Sequence, residues 1–178
     1  GPPGFSREVA MGLDITAYGL CVLVTPAHEY DEDERDCYSR GHVAPYRNPD
    51  FPGHLDTLDP VCHTTAREVQ FRAGSYSGYN WWRAALCRFA FNVKPEVVWH
   101  DFPTYSGKPF AELIHFSDCE GSIGPRTSAK LANDFAEWEA AAVEYARTIS
   151  DGDSWLLKYR QWREAFELAA AGGFVDFH

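Results

Sequence analysis

Long apolar runs are missing from this sequence. The longest uninterrupted one, Leu20 to Val24, falls far short of the roughly 20 residues that cross a bilayer as a helix. No membrane partner is expected. No segment runs from basic through apolar to small residues, as a secretory leader does, so a cytoplasmic setting is expected. Basic residues are scarce as well. Lys and Arg number 16 against 26 Asp and Glu, a net charge of −10. A protein that grips a phosphate backbone needs clustered cations to release counterions, so direct nucleic-acid binding is not expected.

Ordered cysteine patterns are missing too. Five cysteines stand at 21, 37, 62, 87 and 119; the count is odd, no C-x-x-C pair occurs, and a chain of this size needs no staples. Reduced thiols are the expectation. His28, Cys37, His42, His54, Cys62 and His63 lie close in sequence, but their spacing matches no regular zinc-ligand pair, so no metal and no cofactor is assigned. There is no G-x-S-x-G elbow, no H-E-x-x-H and no Walker sequence. Catalysis has no sharp signature.

What is present suits a packed globule. Of the 178 residues 45% are hydrophobic and 15% aromatic, enough for one core that buries roughly 70% of the unfolded surface. Residues 1–10 read as a cloning remnant or upstream extension, and residues 11–178 as one α+β domain. The fold expected is a small mixed or antiparallel sheet packed against about three helices, with a C-terminal helical hairpin. Asp14 to Tyr18 and Leu20 to Val24 read as strands. The prolines at 45, 49, 52 and 60 make 27–60 a surface excursion. It opens with an acidic run at 29–36, either a solvated loop or a docking patch for a basic partner. Glu68 to Phe71, Val97 to Trp99 and Glu112 to Phe116 read as three further strands. A helix is expected from about Gly78 to Phe91 with Ser77 as its cap. A later stripe of Leu131, Phe135, Trp138, Ala142 and Tyr145 has helical spacing. A final helix capped by Asp153 carries Trp155, Tyr159, Trp162 and Phe166, and stops at Gly172-Gly173.

Two segments combine polar and turn-forming residues densely enough to suggest a site. In the first, Arg72, Ser75, Tyr76, Ser77, Tyr79, Asn80 and Arg83 surround Gly74 and Gly78. A helix start offers unpaired N–H groups to an anion, Arg72 and Arg83 offer forked donors, and the tyrosines offer rings for stacking. In the second, His115, Ser117, Asp118 and Glu120 follow an expected strand and lead into a helix. Two carboxylates beside a histidine can divide acid and base roles. For each segment the plain alternative is a capped turn. The tail ending in His178 either frays or folds back against the body.

The stretches Met11 to Tyr18, Phe71 to Asn80, Phe116 to Pro125 and Asp176-Phe177-His178 resemble a family of hypothetical proteins of tailed bacteriophages and prophages, over most of residues 11–178. The resemblance implies a small accessory protein acting in the host bacterial cytoplasm, and brings no activity or catalytic residues with it. The leading expectation is a pocket between 72–83 and 115–125 that binds a small anionic, nucleotide-like ligand and modulates a host process. The alternatives are a hydrolase or transferase using Asp118, Glu120 and His115, and an acidic inhibitor docking on a host protein.

Overall fold

The computed structural model describes residues 11–24 and 34–178, of which 34–36 are described as backbone alone. The acidic run therefore lies outside the described residues except for the backbone of its last three.

The architecture is α+β. Four strands form one antiparallel sheet in the order β4-β1-β6-β5, where β1 is Gly12–Gly19, β4 Arg67–Ser75, β5 Gly121–Ile123 and β6 Phe174–Phe177. A second, two-stranded sheet pairs β2 (Val22–Leu23) with β3 (His63–Thr64). The described helices are α1 (Glu34–Ser39), α2 (Tyr76–Phe91), α3 (Pro95–His100), α4 (Phe102–Tyr105), α5 (Ala111–His115), α6 (Pro125–Glu137), α7 (Glu139–Ala146) and α8 (Gly152–Ala169). Among the described residues no helix is long and apolar enough to cross a membrane.

Period-two alternation decides which face of the sheet is buried. In β1, Leu13, Ile15 and Ala17 join the main core, which leaves Asp14, Thr16 and Tyr18 on the other face. The helices cover the first face. There Tyr79 and Trp82 of α2 meet Trp155, Tyr159 and Trp162 of α8 in one aromatic cluster, all buried. Each such ring buries about 150–250 Å², which contributes at most roughly 4–6 kcal/mol. The two indoles also lock α2 to α8 reciprocally. Trp82 Nε1 donates to the Trp155 carbonyl at 3.1 Å and Trp155 Nε1 to the Trp82 carbonyl at 3.3 Å.

Several local expectations need correcting. Residues 97–99 and 112–115 belong to helices α3 and α5, not strands, and Phe116 is the extended cap that ends α5. Pro95 at the first position of α3 and Glu96 in its first turn are a helix-start signature that three consecutive β-formers outweigh on inspection. Helix α2 begins at Tyr76, and its cap is Ser75 rather than Ser77. Strand β4 runs on past Phe71 through Gly74, which sits at φ +132° beside a bulge against Leu13/Asp14. The 131–145 stripe is broken at Trp138 into α6 and α7. Helix α8 starts at Gly152, with Asp151 and not Asp153 at its cap position. A Cβ on Gly152 would overlap the Ala146 carbonyl, so only glycine lets the two helices turn that closely. Strands β5 and β6 are too short to betray themselves by alternation.

The tail does not fray. Asp14 N donates to the His178 carbonyl at 2.9 Å and His178 N to the Asp14 carbonyl at 3.0 Å. Nor is the proline-rich excursion wholly superficial, since Leu55, His54 and Asn48 are buried. The expectation of reduced thiols is overturned at one pair, because Cys37 of α1 is disulfide-bonded to Cys62. That bond also occupies both of the sulfurs considered as zinc ligands.

Candidate functional site

The two polar segments converge through α2. Spacings of three and four place Asn80, Arg83 and Ala84 toward the turn that follows α5. Asn80 Nδ2 donates to the Tyr76 carbonyl at 2.8 Å and to Asp118 Oδ2 at 3.1 Å. Its Oδ1 accepts from Arg83 at 2.6 Å, and the other Arg83 terminal nitrogen donates to the Phe116 carbonyl at 2.7 Å. The turn holds its own shape as well: Ser117 Oγ accepts from the backbone of Cys119 and Glu120, both at 3.2 Å.

Arg83 is 4% exposed. Its guanidinium lies 4.9 Å from the Trp99 ring centroid and 5.2 Å from that of Tyr79, and its buried Nε has no hydrogen-bond partner. Trp99 remains 39% exposed although its Nε1 is fixed to the Ile114 carbonyl at 2.8 Å. An exposed indole held on one side by a cation and at its nitrogen by a carbonyl is a ready-made stacking surface, since little rotamer entropy remains to be lost.

Two adjoining cavities share Arg83, Trp99 and Asp118. The first, about 420 Å³, is also lined by Asn80, Arg88, Lys94 and Glu96. The second, also about 420 Å³, is lined by Phe51, His115 and Ser117. The first thus gathers three cations against two carboxylates in a chain whose net charge is −10.

His115 stacks on Phe102 with ring centroids 3.9 Å apart and meets Phe51 edge-on at 5.0 Å. Burial, then the nearby Arg83, pushes its pKa below the usual histidine value, so it is neutral at pH 7. Its Nδ1 is buried without a partner. The neighbouring His54 is depressed further, to about 4, by burial first and then by His115.

The expected residues separate into groups. Asn80, Arg83, His115, Ser117 and Asp118 line the paired cavities. Tyr79 does not, being fully buried in the aromatic cluster, where burial holds its hydroxyl near pKa 12; it has no face to offer a ligand. Tyr76 is half-buried against the core. Ser75 Oγ accepts from Gly78 N at 3.1 Å and lies 3.2 Å from Ser77 Oγ, so the helix start is capped from within. Arg72 is on the opposite face of the sheet from the helices, paired with Asp14 at 3.2 Å. Glu120 does not line these cavities; its carbonyl accepts from Asn48 at 3.0 Å. Phe51, Arg88, Lys94, Glu96 and Trp99 escape sequence reading, mainly because α3 is misread as a strand. Among the described residues no group of His, Cys, Asp or Glu is arranged to hold a metal ion. No family model, no curated protein and no solved structure matches the chain.

Proposed function

We propose that the protein binds a small anionic ligand with a planar ring, nucleotide-like in form, in the cavities between α2, α3 and the turn at 117–120. The observation that carries this reading is the surplus of positive charge beside a fixed aromatic surface: Arg83, Arg88 and Lys94 line the same 420 Å³ space as Trp99. Such a volume suits a ligand of a few hundred cubic ångströms, bound by one stacking contact and a few polar groups. The cations take the anionic end and Trp99 the ring. The setting we propose is a phage or prophage accessory protein that withdraws or senses a host metabolite. Support comes from the resemblance, whose Phe71 to Asn80 and Phe116 to Pro125 stretches contribute Asn80 and Phe116, Ser117 and Asp118 to the lining.

The hydrolase or transferase reading has less behind it. His115 is neutral and sandwiched between aromatic rings, and Glu120 stands apart from the cavity that His115 and Asp118 share. The docking-inhibitor reading rests on a run outside the described residues.

Differential scanning fluorimetry with AMP, ATP, GTP and nicotinamide mononucleotide tests the proposal. At 100 times its Kd a ligand adds about 2.7 kcal/mol, which raises the midpoint of a chain this size by roughly 5–10 °C. Lys94→Ala and Trp99→Ala should each reduce the shift. No shift with any of the four, or a shift in both variants as large as in the wild type, would refute it.

A further inference from the structure

Asp118 is out of place in a site built for an anion. It lines both cavities together with Arg83 and Trp99, and a carboxylate there repels the charge that Arg88 and Lys94 attract. Its own bonding is incomplete. Oδ2 accepts from Asn80 Nδ2 at 3.1 Å, and among the described residues no other hydrogen bond and no ion pair engages the carboxylate. A carboxylate has about four lone-pair sites, so most of its accepting capacity faces the cavities unused.

The amide of Asn80 sets the geometry. It donates to Asp118 and accepts from Arg83 at 2.6 Å, so carboxylate and guanidinium stand side by side on one side chain. Arg83 is fixed a second time by the Phe116 carbonyl at 2.7 Å. The guanidinium has N–H groups beyond the two that these bonds use. A donor and an acceptor therefore adjoin, with little freedom left to lose when a ligand arrives. Trp99 lines both cavities with them, so a ring lying on the indole has this pair within its own space in either one. Arg88 and Lys94 line the first cavity and not the second, which puts the anionic end there.

A carboxylate accepts and does not donate, so it selects a ring edge on which donors are neighbours. Among the common bases guanine has that edge. Its N1–H and N2 amino group stand side by side, and the O6 carbonyl next to them accepts. Adenine sets its N6 amino group beside an accepting ring nitrogen, and cytosine pairs N4 with N3 in the same way. Uracil flanks its N3–H with two carbonyls. Each of these would bring an acceptor against the Asp118 oxygens, which is a penalty as well as a lost bond. With guanine both donors meet the carboxylate and O6 falls on the Arg83 side.

We infer that Asp118 determines specificity at this site and that the ligand is a guanine nucleotide, an inference that rests on the anion-and-ring reading above. Isothermal titration calorimetry with GMP, AMP and xanthosine monophosphate tests it, since all three carry the same phosphate to Arg88 and Lys94. GMP is expected to bind the wild type at least about tenfold tighter than AMP, a difference of about 1.4 kcal/mol. Asp118→Asn keeps an oxygen for Asn80 and sets an amide N–H against the carbonyl that xanthine has in place of the guanine amino group. In that variant GMP should weaken about tenfold and xanthosine monophosphate should tighten about as much, a gain that misfolding cannot produce. Three results would overturn the inference and leave the anion site standing. They are AMP binding as tightly as GMP, an equal loss for GMP and AMP in Asp118→Asn (which would put the carboxylate on the ribose), and an unchanged ratio of GMP to xanthosine monophosphate affinity in that variant. No binding of any of the three to the wild type would overturn it together with the proposed function.

Discussion

Arg83 and His54 are both buried ionisable side chains, and the chain treats them in opposite ways. Arg83 is surrounded by the Phe116 carbonyl, the Asn80 amide oxygen and two aromatic faces. Such partners offset desolvation, and a lysine cannot replace the planar fork that reaches two of them at once. Among the described residues the His54 ring has a single hydrogen-bond partner, the Glu112 carbonyl at 3.1 Å from its Nε2, and it stays neutral, with its pKa lowered to about 4. The linkage sign follows from that depression. Between the unfolded value near 6.5 and the folded value near 4, the unfolded chain takes up a proton that the folded chain refuses. Stability is therefore present above pH 6.5 and lost as the pH falls toward 4, by about 3 kcal/mol from this residue. His63 and His115 are shifted the same way and add to the slope. His54→Gln keeps a donor in reach of the Glu112 carbonyl without a titrating group. Urea midpoints measured from pH 7 to pH 4 should fall less steeply in the variant. Identical slopes would mean His54 does not titrate as described.

At the scale of elements, the part between β2 and β3 is organised by one covalent tie and a few borrowed hydrogen bonds. Cys37 and Cys62, 25 residues apart, fix α1 against the segment that enters β3, while Ala44 and Val24 pack around them. Closing a loop of that length removes roughly 3 kcal/mol of denatured-state entropy. The Cys37→Ser/Cys62→Ser double variant should lose about that much in denaturant unfolding, and excess dithiothreitol should lower the wild type to the same midpoint; an unchanged midpoint in both would show the tie to be dispensable. None of this tie could be read from the sequence, since five cysteines without a repeating spacing allow many pairings. The elements that were readable share a clear period: β1 through its alternation, α2 and α8 through aromatic residues at three and four. The unreadable ones take their shape from neighbours. Strand β5 exists because β6 pairs with it on one side and Tyr46 on the other. Helices α3 and α5 are each shorter than two turns, and are held by Trp99 bonding to Ile114 and by Val98, Leu113 and Ile114 entering the core. The candidate site was half legible for the same reason: its α2 half has a period and its α3 half has none.

For the molecule as a whole, the main core runs without a break from β1 through the aromatic cluster to α3 and α5. Leu13, Trp82, Val98, Phe110, Leu131, Trp155 and Phe177 all belong to it. Trp162 stands at its crossing point, touching Phe71 of β4, Tyr79 and Trp82 of α2, Phe166 of its own helix and Phe177 of β6. A core so joined should unfold in one step. Far-ultraviolet circular dichroism, which follows the helices, and near-ultraviolet circular dichroism, which follows the packed aromatics, should give coincident urea transitions. Trp162→Ala should cost about 3–5 kcal/mol and move both transitions together, because the lost ring serves sheet and helices equally. Two separate midpoints, with α2–α8 surviving after the 95–116 segment has melted, would show that Arg83, Trp99 and the residues they hold fold as an annex. The proposed anion site would then open at a lower free energy than the sheet, and a ligand bound there would stabilise only the earlier transition.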